Sequence, residues 1–325
     1  MYAAIAIGLS PGVRSAPVVP ALEAEMPAQK RHEPIKPIPL AMDLDARKVA
    51  LGRMLFNEPR LSRDNTVSCA SCHDLRKGGA DGKKHPVGIG KSEGQINTPS
   101  VFNCAGNVKQ FWDGRAATLE EQIDGPLQAA AEMGSTWPEV AGKLRAVPEY
   151  AALFKNIYSD GVQPRNIRNA ISEFERSLTT PNSRFDKFLR GDDSALSADE
   201  KEGYCKFKSY GCTSCHQGVN VGGNMFETLG AMADYFAARG GVTKADYGRF
   251  NVTGKSEDRY VFKVPSLRNV ALTAPYLHDG TAETLQKAVA IMGRYQLGEE
   301  LPPKDIEQIV KFLHTLTGEY EGHPL

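Results

Sequence analysis

Two short motifs of cysteine and histidine have the clearest chemistry in this chain. They read Cys69-Ala-Ser-Cys72-His73 and Cys212-Thr-Ser-Cys215-His216. Two thiols at this spacing form thioether bonds with the vinyl groups of a haem, and the next histidine reaches the haem iron. The motifs therefore predict two covalently bound haem c groups. The predicted thioether residues are Cys69, Cys72, Cys212 and Cys215, and the predicted iron ligands are His73 and His216.

Other uses of cysteine fit this sequence less well. A zinc site would need further cysteines in range, and a redox dithiol needs no histidine. The remaining cysteines, Cys104 and Cys205, could pair in an oxidising compartment. Nothing in the sequence brings their Cα atoms together, so we expect buried free thiols rather than a disulfide framework.

The elements that must position these motifs are mostly helical, and we predict a mainly α fold. Asp43 is a candidate cap for the first helix, Thr118 and Ser197 open capping boxes, and Pro164 suits a first helical turn. The helix from Ser197 should end at Gly211 and lead directly into the second motif. Further helices are predicted at about 281–293 and 303–317.

An internal duplication divides the chain. Thr98-Pro-Ser-Val-Phe-Asn103 resembles Val264-Pro-Ser-Leu-Arg-Asn269, and Trp112-Asp-Gly resembles His278-Asp-Gly, both at an offset of 166 positions. The pattern predicts two cytochrome c-like haem domains, at 41–180 and 181–325. Residues 1–40 are interpreted as a signal-like segment and an extended, proline-rich lead-in that forms no packed element.

The two copies differ at the sixth iron position. Met292 follows the apolar positions of a predicted helix, and a haem in the same half makes it a candidate ligand that would raise the haem potential. The equivalent position in the first copy is Pro126, which cannot bind iron. Glu132 lies nearby, and a carboxylate above an open haem could move a proton between the oxygens of peroxide. The alternatives are a core methionine and a solvated glutamate.

These residues resemble the bacterial dihaem cytochrome c peroxidases from about residue 44 to the end of the chain. The matching stretches include Leu61–His73, Asn97-Thr-Pro-Ser100, Phe111–Ala116, Glu132-Met133, Lys263–Asn269, Tyr276–Gly280 and Met292-Gly-Arg294. The resemblance implies that hydrogen peroxide reacts at the N-terminal haem. Electrons would come from a small monohaem cytochrome c or a cupredoxin through the C-terminal His/Met haem.

The same resemblance implies roles for further residues. Glu132 would be the catalytic acid and base, Gln122 its neighbour in the distal pocket, and Trp112 the tryptophan between the haems. It also implies a calcium ion between the domains and a homodimer. The calcium ligands would be Asn97, Thr273 and Pro275.

One position departs from the family pattern. Many relatives hold a histidine on the loop after the first motif against the peroxide-binding position until the other haem is reduced. Lys91 stands at that place here, and the only histidine on the loop, His85, is offset. We expect the first haem to be open or weakly ligated in the oxidised protein, with His85 or Lys91 as the alternative ligands.

Two other functions compete with peroxide reduction. Dihaem enzymes that oxidise tryptophan residues of a partner protein share an open first haem, but they characteristically replace the C-terminal methionine ligand by tyrosine. A pure dihaem electron carrier would have two filled iron sites and no use for Glu132.

Charge and hydropathy limit the class of protein. The chain has 39 lysines and arginines against 39 acidic residues, which gives no reason to expect nucleic acid, a membrane surface or a strongly acidic substrate. No apolar run is long enough to span a bilayer. Haem c attachment is completed outside the bacterial cytoplasm, so we predict a periplasmic protein, with surface association left open.

Overall fold

The computed structural model describes residues 33–325. The signal-like segment and most of the lead-in, residues 1–32, lie outside the described residues. Within 33–325 the chain is mainly helical, as predicted, and its strands are two or three residues long. In this part of the chain no helix combines the length and the hydropathy that crossing a bilayer requires.

Thirteen α-helices are assigned within residues 33–325, together with single 3-10 turns. Those of the first half are α1 (Ala46–Phe56), α2 (Cys69–Cys72), α3 (Leu119–Gln122), α4 (Asp124–Gln128), α5 (Trp137–Arg145), α6 (Pro148–Ile157) and α7 (Pro164–Ser177). Those of the second half are α8 (Arg184–Leu189), α9 (Ala198–Ser209), α10 (Tyr235–Arg239), α11 (Phe250–Thr253), α12 (Leu285–Ile291) and α13 (Pro303–His314).

The four short strands found between residues 33 and 325 form two antiparallel pairs. They are β1 (Phe226–Thr228) with β2 (Val261–Lys263), and β3 (Glu319–Tyr320) with β4 (His323–Pro324). In the first pair Lys263 lies opposite Phe226.

The predicted helix starts are largely confirmed. Thr118 caps α3, Ser197 opens α9 with a full capping box, and Pro164 is the first residue of α7. The cap predicted at Asp43 is wrong: Asp45 accepts the backbone N–H of Arg47 and α1 begins at Ala46. A carboxylate can cap only the turn that starts directly after it, and Asp43 stands two residues too early.

The predicted helix ends lie a few residues too far along the chain. Helix α9 ends at Ser209 and α13 at His314. Gly211 has a φ of 79° and turns the chain into Cys212, which a residue with a side chain would do less readily. Helix α12 begins later than predicted, after its cap Thr284, and continues as a π-helix over Met292–Leu297.

The internal duplication is confirmed in the backbone. Asn103 and Asn269 both have a φ of 59° and both precede a single 3-10 turn. Two isolated bridges, Gln110 with Ala116 and Tyr276 with Ala282, occupy the same places in the two copies. The copies therefore share local geometry as well as sequence, including the turns that carry Trp112 and His278.

Each half has its own apolar core. The first contains Leu51, Leu55, Val140, Leu144, Phe154, Ile167 and Ile171 from α1, α5, α6 and α7. The second contains Phe185, Tyr204, Phe207, Ile309, Phe312, Leu313 and Leu316, from α8, α9, α13 and the turn after α13. The domain limits at 180 and 181 stay a prediction.

The described ends of the chain cross between the halves. Ile35 belongs to the second core, and the N–H of Lys36 donates to Gly218 O at 3.2 Å. The expectation that the lead-in forms no packed element is therefore wrong for residues 33–38, because its isoleucines supply apolar surface that proline-rich composition concealed. At the other end, Tyr320 packs edge-on against Phe102 of the first half, with ring centroids 5.1 Å apart.

The two remaining cysteines are free and lie in different environments. Cys104 is buried, whereas Cys205 is exposed on α9. The expectation of buried thiols is wrong for Cys205, because α9 turns Gly203, Tyr204 and Phe207 inward and leaves Cys205 on the opposite face.

Candidate functional site

The second haem motif opens onto a cavity of about 310 Å³. Cys212, Cys215 and His216 line it together with Met292. Leu285, Ala288 and Val289 also line it, so one face of α12 turns toward the motif, as the helical spacing predicts. The set of two thiols, an imidazole and a thioether fits a His/Met haem c.

Both motif histidines are oriented by a carbonyl oxygen. His73 Nδ1 lies 3.1 Å from Gly79 O, and His216 Nδ1 lies 3.2 Å from Val221 O. A carbonyl oxygen can only accept, so in each ring Nδ1 carries the proton and donates. The other nitrogen, Nε2, keeps a lone pair for a metal, which is the arrangement that metal-binding histidines use.

The titration of the motif side chains fits haem attachment. Burial lowers the pKa of His216 to about 4, so this imidazole is neutral and able to bind iron at pH 7. Burial raises the pKa of Cys69 to about 12 and that of Cys212 to about 11. Zinc requires thiolates, which these environments disfavour, whereas a thioether bond leaves no charge on sulfur.

Glu132 lies beside the first motif. It is partly buried, and burial raises its pKa, with the Arg115 guanidinium opposing the shift. The pKa of Cys72 is raised to about 11 by burial and then by the carboxylates of Asp81 and Glu132. Glu132 therefore holds a proton more readily than a solvated glutamate and lies close enough to the motif to act on its charge.

The loop after the first motif folds back onto Glu132. The N–H of Ile89 donates to Glu132 O at 2.8 Å. His85 Nδ1 lies 3.2 Å from Glu93 Oε1, and Lys91 is exposed with a φ of 61°. Within the described residues, His85 thus already has a carboxylate partner, and Lys91 faces solvent.

Gln122 and Trp112 lie in different local environments. Gln122 is the last residue of α3, is partly buried, and forms no side-chain hydrogen bond within residues 33–325. Trp112 lines the cavity of the second haem motif, and its Nε1–H donates to Asn97 O at 3.0 Å. Its ring lies edge-on to that of His278, its counterpart in the duplication, with centroids 6.4 Å apart.

The three predicted calcium residues belong to the lining of the cavity beside the second haem motif. Asn97, Thr273 and Pro275 all line it, although they come from different halves of the chain. Asn97 Nδ2 donates to Lys83 O at 2.9 Å, which directs the amide oxygen away from this contact. One amide oxygen and two carbonyls are hard donors of the kind that Ca²⁺ prefers.

A buried network around His278 was missed by the sequence analysis. His278 Nε2 lies 2.8 Å from Asp246 Oδ1, and Arg239 pairs with both Asp246 and Asp279. The potential metal-ligand atoms of Asp246, His278 and Asp279 lie within 4.8 Å of one another. The Arg239 guanidinium already pairs with both carboxylates. His278 and Asp279 belong to the duplicated His278-Asp-Gly turn. No sequence motif around Asp246 or Arg239 predicts that these residues join the network.

Comparisons with known proteins agree with this geometry. The family model described as "Di-haem cytochrome c peroxidase" matches residues 46–194. The chain is 51% identical to the cytochrome c peroxidase Ccp of Escherichia coli (strain K12), covering 90% of this chain and 63% of that one. The chain thus spans less than two thirds of the length of that relative.

Two further comparisons extend over most of both chains. The chain is 46% identical to the cytochrome c551 peroxidase of Nitrosomonas europaea, covering 89% of this chain and 85% of that one. The crystal structure of a MauG-like protein associated with microbial copper homeostasis superposes with a TM-score of 0.76 at 27% identity. That match covers 92% of this chain and 96% of the other.

Proposed function

The chain belongs to the di-haem cytochrome c peroxidase family, and from this we propose that it reduces hydrogen peroxide to water with electrons from a small redox protein. The observation that carries the proposal is the inequality of the two haem motifs. A proton-holding carboxyl, Glu132, lies beside the first motif, whereas the thioether of Met292 faces the cavity of the second.

Two covalently bound haem c groups would supply the iron that binds peroxide and a path for the two electrons that the small redox protein delivers. The thiols of Cys69 and Cys72 would hold one group and those of Cys212 and Cys215 the other. His73 and His216 would each present Nε2 to iron, because their Nδ1 protons are committed to carbonyl oxygens.

Glu132 is proposed to move the proton of the reaction. Its carboxylate would take a proton from one oxygen of peroxide and return it to the other, which makes water the leaving group. Burial supports this role, because a pKa raised toward neutrality allows both acceptance and release. The Gln122 amide, which forms no side-chain hydrogen bond within residues 33–325, would orient the peroxide.

Met292 is proposed as the axial ligand of the haem that receives electrons. Its thioether would raise the potential of that haem and close the iron to peroxide. A methionine at this place argues against the tryptophan-oxidising alternative, and the partly buried Glu132 with its raised pKa argues against a pure electron carrier. Trp112, bonded to Asn97 between the halves, would lie on the electron path.

Several finer statements complete the proposal. The donor would be a monohaem cytochrome c or a cupredoxin, a calcium ion would bind Asn97, Thr273 and Pro275, and the protein would act in the periplasm as a homodimer. The calcium ion is supported only by the presence of these three residues in the lining of one cavity. The other statements rest on family membership.

The decisive experiment is peroxide turnover by the haem-loaded protein with a reduced small cytochrome c. We expect two cytochromes to be oxidised for each peroxide consumed, because each supplies one electron. Oxidation of cytochrome without loss of peroxide, or no turnover with either a cytochrome or a cupredoxin, would contradict the proposal.

A further inference from the structure

Lys263 is a buried cation without a carboxylate partner. It is 8% exposed, at the end of β2, and it lines the cavity of the second haem motif. Within residues 33–325 it forms no ion pair and no side-chain hydrogen bond. Lysine is almost never buried to this extent unless it is paired, so its ammonium lacks an anion that the bound state should supply.

The other charged or titratable groups at this cavity do not supply that anion. The carboxylate of Asp186 already pairs with Arg268 at 2.8 Å, and that of Asp246 pairs with His278. Glu227 also lines the cavity, but it lies opposite Phe262 in the strand pair and forms no ion pair with Lys263. Within residues 33–325, no carboxylate therefore forms an ion pair with this lysine.

Cys104 is the titratable neighbour whose charge would act on Lys263. Burial raises the pKa of the Cys104 thiol well above its usual value, so at neutral pH this side chain carries no charge. Burial lowers the pKa of Lys263 to about 8, which still leaves the ammonium mostly protonated at pH 7. Within residues 33–325, the cavity thus contains a positive charge on the protein side that is paired with no protein anion.

Haem c itself carries two propionate carboxylates, which are the anions that a haem would bring into this cavity. We infer that the Lys263 ammonium binds a carboxylate of the haem held by Cys212 and Cys215. This rests on the proposed function only in taking haem c as the group that these cysteines hold. Charge pairing in a desolvated cavity is strong enough to fix the orientation of the carboxylate.

The location of the lysine gives this pair a further consequence. The backbone N–H of Lys263 donates to Trp112 O at 2.8 Å, and Lys263 stands at the position that Asn97 occupies in the other copy. The ion pair would therefore lie where the second haem meets the tryptophan between the halves. Removing the cation would leave an uncompensated carboxylate near the iron, which favours the oxidised state.

The test is a spectroelectrochemical titration of both haems in K263M, K263Q and K263R, with the exposed Lys255→Met as the matched control. Haem content is first measured to verify that each variant carries two groups. We expect K263M and K263Q to lower the potential of the methionine-ligated haem by about 59 mV, a tenfold change in its one-electron equilibrium. K263R and K255M should stay close to the wild type.

Two results would overturn the inference. One is an unchanged potential of the methionine-ligated haem in both neutral variants, and the other is a shift confined to the other haem. If K263M does not retain haem, K263Q and K263R decide the result by the same comparison. Because the readout is a potential, a lack of peroxide turnover in the wild type would refute the proposed function without affecting this measurement.

Discussion

The backbone N–H of Ile89 donates a 2.8 Å hydrogen bond to the carbonyl oxygen of Glu132. The loop after the first haem motif is thereby joined to the residue proposed to carry the proton. Gly88 lies against the same stretch, where an added Cβ would come within 2.0 Å of Ala131 O. The position of Glu132 thus depends on this loop as well as on the turn between α4 and α5 in which it stands.

Replacing Glu132 by Gln should reduce peroxide turnover by about 10²- to 10⁴-fold, the usual contribution of a general acid and base. In the wild type, turnover should rise with pH through the pKa of Glu132, which burial places above the ordinary 4.5. The variant should lose this rise. Steady-state rates from pH 4 to pH 8 test both statements, with the exposed Glu149→Gln as the control. Equal rates in the two variants would refute the role of Glu132.

The oxidised protein should show one high-spin haem by electron paramagnetic resonance. His85 is engaged with Glu93, and Lys91 is exposed, so we expect neither side chain to bind the iron of the first haem. H85A and K91A should leave the spectrum unchanged. A spectrum with low-spin haem alone would contradict an open first site. In that case, loss of one low-spin signal in H85A or in K91A would identify the ligand.

Met292→Ala should convert the second haem from low spin to high spin and lower its potential, because the thioether ligand is lost. Turnover with the reduced cytochrome should fall, while both haems remain attached. Absorption spectra during reductive titration measure the change. The control is Met232→Ala, which removes an exposed methionine of the same half. A spectrum like that of the wild type would exclude Met292 as a ligand.

Glu175→Gln should stabilise the protein in alkaline solution. In the described part of the chain, Glu175 Oε2 is buried without a hydrogen bond, and burial raises the pKa of this carboxyl to about 8. The folded state then binds a proton that the unfolded state releases above about pH 4, so wild-type stability falls as pH rises from about 4 to about 8. Denaturant unfolding at pH 8 should favour the variant by about 2–4 kcal/mol, with little difference at pH 4.

The control for this measurement is Glu202→Gln, which removes an exposed carboxylate from α9. It should follow the wild type at both pH values. A Glu175→Gln variant that is equally stable, or less stable, at pH 8 would show that the carboxyl finds a partner in the haem-loaded protein.

Asn97→Ala should weaken calcium binding by about tenfold or more, since a side-chain ligand is removed. Metal analysis after dialysis should find about one calcium per chain in the wild type and less in the variant. Asn107→Ala is the matched control, because this amide lines the same cavity but accepts from Asn220. No calcium in the wild type would refute the site.

Much of the fold and part of the candidate site could be predicted from the spacing of residues that are close together in the sequence. The CxxCH motifs, the caps at Thr118 and Ser197 and the helical position of Met292 are set by residues within a few positions of one another. Such neighbours remain neighbours in any helix or turn, so their geometry follows from the sequence.

The remainder depends on contacts between distant segments. Asp246 contacts His278, which lies 32 positions away in the sequence. Lys263 lines a cavity formed by residues of both halves. No periodic pattern in the sequence predicts either arrangement. The burial of Ile35 was hidden by the prolines around it, and the exposure of Cys205 depends on which face of α9 the second core covers. These outcomes are decided by tertiary packing rather than by local preference.

The two described ends of the chain pack on the halves to which they do not belong in sequence, with Ile35 in the second core and Tyr320 against Phe102. Neither half can therefore be cut out near residue 181 with its surface complete: a first-half fragment loses the cover over Phe102, and a second-half fragment loses Ile35. A single-haem version of this protein would therefore need the covering segment from the other half to be added to it, because each half is completed by residues from the far end of the chain.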